Sequence, residues 1–150
     1  MLRTLIIYSS VHHGNTEKVA KVIAETLHCE MLKAETVDAG DILKNYDLIG
    51  FGSGIYAGKF HKSMFDLIDL LPNMPLTKAF VFSTSGIGKK SYNKQMKSKL
   101  EEKTFKIIGD FACRGFDTFG PFKFIGGLAK GRPNLHDLHV AKTFAQKLIK

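Results

Sequence analysis

The chain has 150 residues and a net charge of +8, with 44% hydrophobic and 24% charged residues, so we expect residues 1–150 to form one globular domain. No apolar run reaches the roughly 18 residues that a membrane-spanning helix needs. Cys29 and Cys113 form no CxxC pair, which argues against a disulfide framework or a zinc site and favours a reducing, cytoplasmic location.

Apolar segments alternate with amphipathic segments along the whole chain. Continuous apolar runs predict five strands, at 4–10, 29–34, 47–54, 78–86 and 105–116. Apolar residues spaced three and four apart predict helices after the first, third, fourth and fifth strands, and residues 38–47 fit a short helix after the second. Apolar strands separated by helices indicate a parallel sheet covered on both faces, so we predict a three-layer α/β/α fold.

Three loops are candidates for a binding site. In an open parallel sheet, ligands bind beyond the carboxyl ends of the strands, where the strand order reverses. The loops that matter there are the first loop (residues 9–16), the second loop (53–61) and the third loop (83–92). All three are rich in Ser, Thr and Gly, whose hydroxyls and backbone N–H groups suit an anion or a polar ring edge.

The first loop has the composition of a phosphate site. Short polar side chains lie just before a predicted helix, whose N-terminal amides favour a phosphate, and Gly14 allows close approach. A plain polar turn with a Ser or Thr cap is the alternative. The dinucleotide pattern G-x-G-x-x-G is absent, and "GIGKKS" at 86–91 lacks the first glycine of a P-loop. His12 and His13 are adjacent and diverge, with no third ligand nearby, so a metal site is not expected.

The whole chain resembles the flavodoxin family. "HGNTE" at 13–17 matches the family pattern T/S-G-N-T-E, with His13 in place of the usual Thr or Ser. "GSGIYAGKFH" at 52–61 resembles a loop of flavodoxin-like protoporphyrinogen oxidases, and 113–134 resembles a tail found in flavodoxin-like proteins of anaerobes. No 20-residue insertion splits the fifth strand, as in short-chain members. The resemblance implies a flavodoxin-like fold with a five-stranded parallel sheet in the order 2-1-3-4-5.

The resemblance also implies bound FMN, with the phosphate in the first loop and the isoalloxazine ring between the second and third loops. Carried over by position, the cofactor-binding residues are Ser9, Ser10, His12, His13, Gly14, Asn15, Thr16, Ser53, Gly54, Ile55, Tyr56, Ala57, Gly58, Ser83, Thr84, Ser85, Gly86, Ile87, Gly88 and Tyr92. Tyr56 is the candidate stacking partner of the ring. The candidates for its second face are Tyr92, Phe116, Phe119 and Phe122. No catalytic or metal-ligating residue is assigned.

The positive charge is concentrated in the second half of the chain. Residues 1–74 contain 7 Lys and Arg against 9 Asp and Glu, whereas residues 75–150 contain 15 against 5. The lysines that follow the third loop are Lys89, Lys90, Lys94, Lys97, Lys99, Lys103 and Lys106. Family electron carriers are mostly acidic, so this departure predicts a less negative flavin potential and redox partners with acidic docking surfaces. A lysine-coated helix far from the ring is the alternative, and nucleic-acid binding would rest on charge alone.

These features together predict an FMN-binding protein that shuttles electrons between redox partners. The alternative is an FMN-dependent oxidoreductase acting on a quinone or a porphyrinogen-type substrate. A flavin-free receiver domain is disfavoured, because the first loop has no acidic residue. We expect Cys113 to pack in the fifth strand as a small apolar residue, with the neighbouring Arg114 as a group able to lower its pKa.

Overall fold

A computed structural model describes residues 2–11, 13–118 and 125–150. Within these residues the regular elements are, in chain order, β1 (Thr4–Ser9), α1 (Asn15–Leu27), β2 (Glu30–Lys33), β3 (Leu48–Tyr56), β4 (Lys59–Phe60), α2 (Lys62–Leu70), β5 (Lys78–Ser85), α3 (Lys94–Glu102), β6 (Lys106–Arg114) and α4 (Leu135–Leu148). Short 3-10 turns occupy Ala34–Thr36, Asp41–Asn45 and Lys90–Asn93.

Five of the strands form a parallel sheet in the order β2-β1-β3-β5-β6. These are the five predicted strands, so the predicted flavodoxin-like order is confirmed. The two-residue strand β4 was not predicted, and it pairs antiparallel with the end of β3. Helices α2 and α3 pack on one face of the sheet, and α1 and α4 pack on the other. In the described ranges, no helix combines the length and the apolar character that crossing a membrane requires.

The short helix predicted for residues 38–47 is present only as a five-residue 3-10 helix. This region contains a 3-10 turn at Asp41–Asn45 and extended backbone at Gly40. The Asp38 carboxylate accepts a hydrogen bond from the Gly40 N–H at 3.2 Å, a local bond that competes with helix formation. So short a segment, in which Leu43 anchors the turn to the core, gains too little from packing to propagate an α-helix.

Two glycines of β3 fix how that strand packs beside β5. A Cβ on Gly50 would lie 2.2 Å from Cζ of Phe80, and a Cβ on Gly52 would lie 2.1 Å from Cζ of Phe82. Both phenylalanines are fully buried in the core beneath α1 and α4. The rings occupy the space that side chains at the glycines would need, so this register of β3 against β5 depends on glycine at both positions.

We expect Gly52→Ala to lower the free energy of unfolding by about 1–3 kcal/mol, because the new methyl group overpacks the core against Phe82. Urea denaturation monitored by circular dichroism measures the change. Gly40→Ala is the matched control, since Gly40 has a negative φ of −74° and its Cβ would meet only Asp38 Oδ1 at 3.6 Å. Equal losses in the two variants would contradict the packing argument.

Candidate functional site

The three loops meet at one pocket at the carboxyl edge of the sheet. Its lining residues are Asn15, Thr16, Gly54, Ile55, Tyr56, Thr84, Ser85, Gly115, Phe116 and Asp117. The first seven come from the three loops that the sequence singles out. The last three belong to the segment that follows β6, which was not among those loops. Of these three, only Phe116 was named as a candidate, because reasoning from β1, β3 and β5 gives no reason to look beyond β6.

The first loop enters α1 through two residues in the left-handed conformation, His13 with φ 58° and Gly14 with φ 64°. The Ser10 hydroxyl accepts the Glu17 N–H at 3.3 Å, and the Gly14 carbonyl accepts the Lys18 N–H at 3.1 Å. The first amides of a helix have no acceptor within the helix, so the start of α1 presents N–H groups beside the pocket.

The only carboxylate in the first turn of α1 is that of Glu17. It accepts a hydrogen bond from the Tyr8 hydroxyl at 2.9 Å. Burial, followed by this bond, raises the pKa of Tyr8 to about 12, so the phenol keeps donating to the carboxylate at any physiological pH. The carboxylate nearest the start of α1, that of Glu17, is therefore held by a hydrogen bond from Tyr8 of β1.

The segment after β6 holds the first loop in place. The Asn15 side-chain amide donates to the Phe116 carbonyl at 2.8 Å, and His13 Nε2 lies 3.0 Å from Thr118 Oγ1. The rings of His13 and Phe116 also pack with their centroids 4.5 Å apart. Phe116 therefore contacts the first loop as well as the pocket. His12, Phe119 and Phe122 lie outside the described residues.

The second loop forms a β-hairpin between β3 and β4. Its turn is made by Ala57 with φ 51° and Gly58 with φ 82°, the pair of left-handed residues typical of a tight two-residue turn. At its base, the Ser53 hydroxyl accepts the His61 N–H at 2.9 Å and donates to the Gly54 carbonyl at 2.6 Å. Ala57 and Gly58 are exposed at the hairpin tip and do not line the pocket, in contrast to Gly54.

Tyr56 connects the second loop to the first. Its ring packs edge-to-face on His61 with the centroids 5.4 Å apart, and its hydroxyl oxygen accepts a backbone hydrogen bond from Val11. The pKa of Tyr56 is raised mainly by burial, against the lowering effect of the Val11 bond. An aromatic ring thus lies at the wall of the pocket.

The third loop contributes Thr84 and Ser85 to the pocket. The Thr84 hydroxyl lies 2.9 Å from that of Thr16, which ties this loop to the start of α1. The remaining predicted residues of the loop do not line the pocket; they are Ser83, Gly86, Ile87, Gly88 and Tyr92. Ile87 is 57% exposed.

Three serines form a row across the end of the sheet. Ser9, Ser53 and Ser83 are Cα partners on neighbouring strands, and all three are buried. They share the sheet face of Ile7 and Val81, towards α2 and α3, and therefore lie behind the pocket. The hydroxyls of Ser9 and Ser83 have no hydrogen-bond partner among the described residues. The three buried hydroxyls form a polar strip at the base of the hairpin.

Cys113 packs in the α1 and α4 core, as expected for a small apolar residue. The neighbouring Arg114, named as a group able to lower its pKa, does not lower it. Burial, with a contribution from Asp137, raises the pKa of Cys113 to about 12, while Arg132 opposes the shift. The Arg114 side chain instead donates from Nε to the Gly86 carbonyl at 2.9 Å.

Within the described ranges, no three His, Cys, Asp or Glu residues are grouped so that they could hold a metal ion. The site is defined by hydroxyls, amides, the aromatic rings of Tyr56 and Phe116 and the carboxylate of Asp117, at the end of a parallel sheet. This is the arrangement of an open α/β protein that binds its ligand at the point where the strand order reverses.

Residues 5–116 match the family model described as a flavodoxin domain, and the chain belongs to that family. An uncharacterized protein of Methanocaldococcus jannaschii is 47% identical over 151 residues, covering 99% of each chain. Oxidised flavodoxin 1 from Bacillus cereus has a TM-score of 0.73 at 18% identity, covering 98% of this chain and 97% of that chain. Flavodoxin 2 from Bacillus cereus has a TM-score of 0.73 at 23% identity, with the same coverage. At these identities the two structures show a shared fold.

We expect Cys113→Ala to flatten the loss of stability at high pH. The thiol has a higher pKa in the folded chain, about 12, than its ordinary value of 9.0. Above pH 9 the unfolded chain therefore loses this proton first, and the stability that Cys113 contributes falls as the pH rises towards 12. Urea denaturation of both proteins between pH 8 and 11 measures the difference in slope. Parallel curves would contradict the burial of the thiol.

Proposed function

We propose that this protein binds FMN in the pocket at the carboxyl edge of the sheet and carries electrons between redox partner proteins. The observation that carries the proposal is the convergence of all three predicted loops on one pocket. Flavin-binding is the property of the family to which the chain belongs. FMN, when bound, supplies one- and two-electron transfer, and the protein tunes it through stacking, hydrogen bonds and charge.

The residues at the start of α1 fit a phosphate group. The turn through His13 and Gly14 leads directly into the helix, whose first amides are free of intrahelical acceptors. The Ser10 and Thr16 hydroxyls lie on the two sides of this turn in sequence, and Glu17 is bonded to Tyr8. We assign Ser10, the amides of the turn and Thr16 to the phosphate, with His13 as an additional donor.

The opposite side of the pocket fits a flat polar ring. Tyr56 offers an aromatic surface, and Thr84 and Ser85 offer hydroxyls and backbone groups. Gly115 allows close packing there, because a Cβ at that position would lie 2.7 Å from the Asn15 amide nitrogen. We assign the isoalloxazine ring to the space between the second and third loops. Gly54 is the candidate backbone group beside the reactive edge of the ring.

Two substitutions separate the phosphate assignment from the ring assignment. Ser10→Ala should weaken FMN binding by at least about tenfold, because one hydrogen bond to a charged group is worth about 1.5–3 kcal/mol, and should leave riboflavin binding unchanged. Tyr56→Leu should weaken the binding of FMN and of riboflavin by the same factor, because both flavins contain the isoalloxazine ring. Fluorescence titration of the apoprotein measures the four affinities, with Ser98→Ala as an exposed control.

Wild-type protein that binds FMN no more tightly than riboflavin would contradict the phosphate assignment. Wild-type protein that binds neither flavin, and is colourless as purified, would contradict the proposed cofactor.

We further propose that the redox partners use acidic surfaces to dock on a lysine surface made of Lys89, Lys90 and Lys94, together with the exposed Ile87 of the same loop. Lys90 lies 3.7 Å from the Asp110 carboxylate, whereas Lys89 and Lys94 form no ion pair with any described residue. Exposed cations around an apolar residue attract a carboxylate-bearing partner and leave it a contact to bury.

The other lysines after the third loop do not belong to this surface. Helix α3 runs about 13 Å from the carboxyl edge of the sheet back towards the amino edge. Lys103 donates to the Leu71 carbonyl at the end of α2, and Lys106 begins β6. The lysines near the start of α3 therefore support the proposed docking surface, whereas Lys103 and Lys106 lie towards the opposite edge of the sheet.

Reversing the charge at Lys89 and Lys94 should slow electron transfer to an acidic partner by at least about fivefold at low ionic strength, with the difference vanishing in high salt. Stopped-flow oxidation of the reduced, FMN-loaded protein by a small acidic iron–sulfur protein measures this. Basic cytochrome c, a partner of opposite charge, should react faster with K89E/K94E than with the wild-type protein. The matched control is K78E/K106E, which changes net charge equally at the amino edge. Equal effects of the two double variants would contradict a localised docking surface.

A second candidate function is that of an FMN-dependent oxidoreductase acting on a quinone or a porphyrinogen-type substrate. It is favoured by the hairpin, where the His61 ring packs on Tyr56 and Nδ1 lies 2.8 Å from the Ser63 hydroxyl. Steady-state oxidation of NAD(P)H with a quinone, or of a porphyrinogen, by the FMN-loaded protein tests this function. Turnover without any partner protein would support it over the carrier function.

A further inference from the structure

The turn of the third loop is built against one arginine at the end of β6. Arg114 is the Cα partner of Ser85, and its Nε donates to the Gly86 carbonyl at 2.9 Å. Its stem fills the space beside Gly88, where a Cβ would lie 2.8 Å from Arg114 Cγ. Gly88 has a φ of +71°, and its N–H donates to the Ser85 hydroxyl at 2.7 Å. The turn at 85–88 therefore depends on Arg114 as well as on glycine.

The hydrogen bond from Arg114 fixes the direction of the Gly86 carbonyl, and therefore decides which backbone groups the third loop can offer to a ligand. A loop that donates backbone N–H groups to an acceptor must direct its carbonyl oxygens elsewhere, because an oxygen facing an acceptor atom is repelled. Arg114 keeps the Gly86 oxygen on the β6 side. It also brings a fixed positive charge to a loop that otherwise contributes only hydroxyls and peptide groups to the pocket.

The negatively charged carboxylate of Asp117 lies beside the same residue, Gly86. A Cβ at Gly86 would be 3.1 Å from Oδ2 of Asp117, and Asp117 lines the pocket. Several neighbouring charged groups are held in ion pairs. Arg132 is paired with Asp137, and Lys90 and Lys97 are paired with Asp110. Arg114 and Asp117 are a cation and an anion that both lie beside Gly86 of the third loop.

We propose that Arg114 is a positioning residue that fixes the third loop and, together with Asp117, sets the reduction potential of the bound flavin. The proposal rests on FMN occupying the pocket. Fully reduced flavin carries a negative charge on its pyrimidine side, which Arg114 stabilises and Asp117 destabilises. The balance between the two charges then determines how readily the flavin takes its second electron.

Spectroelectrochemical titration of the FMN-loaded protein tests this. Arg114→Met keeps an unbranched stem, removes the charge, and should disfavour the second reduction step about tenfold, which is 59 mV for one electron. Asp117→Asn should shift the same step in the opposite direction. Arg114→Lys keeps the charge without the fixed Nε donor, and should recover more than half of the shift. Lys106→Met is the matched control, because it removes one charge about 26 Å away at the other end of β6 and should change the equilibrium less than twofold.

The outcomes distinguish this proposal from the proposed function. Wild-type protein that fails to bind FMN overturns both. If FMN binds and Arg114→Met shifts the potential no more than Lys106→Met does, the role of Arg114 is overturned. If Arg114→Met does not fold, Arg114→Lys and Asp117→Asn test the proposal instead. An unchanged potential in Asp117→Asn overturns it. A positive shift in Asp117→Asn, with a near-wild-type potential in Arg114→Lys, supports it.

Discussion

The alignment of β3 against β5 is the constraint on which the rest of the molecule depends. Phe80 and Phe82 lie where side chains at Gly50 and Gly52 would be, so only this register lets both strands share one core. A displacement of one residue would move those rings to the opposite face of the sheet. Because β1, β3 and β5 are parallel and in register, their carboxyl ends coincide, and three loops far apart in sequence become the walls of one pocket.

The segment after β6 completes the site. Phe116 and Thr118 hold the first loop through Asn15 and His13, and Gly115 leaves room for the Asn15 side chain. Arg114 supports the third loop from the same segment. One short stretch of chain therefore positions both the loop assigned to the phosphate and the loop assigned to the pyrimidine edge of the ring. Such support from outside the binding loops is what keeps a site on loops well ordered.

The excess positive charge is divided by the geometry of the fold. Lysines at the start of α3 lie at the same edge of the sheet as the pocket, whereas those at its end lie at the opposite edge, where Lys103 binds the last carbonyls of α2. The net charge of +8 therefore has at least two separate physical roles. One lysine holds the end of a neighbouring helix, and others form the surface that we propose as the docking site of an acidic partner.

The sequence alone determined the sheet and the loops, because long apolar runs and helix-period patterns are local signals that tertiary contacts rarely override. Seven of the ten residues that line the pocket lie on the first, second and third loops that it singled out, and an eighth, Phe116, was named as a candidate for the second face of the ring. The short helix at 38–47 formed only as a 3-10 helix at Asp41–Asn45, after a segment where the Asp38 side-chain hydrogen bond competes with helix formation. Asp117, the hairpin strand β4 and the place of Arg114 were decided by tertiary structure. Arg114 contacts Gly86, 28 positions earlier in the chain, and Phe116 contacts Asn15, 101 positions earlier. No local pattern encodes which residues so far apart will meet.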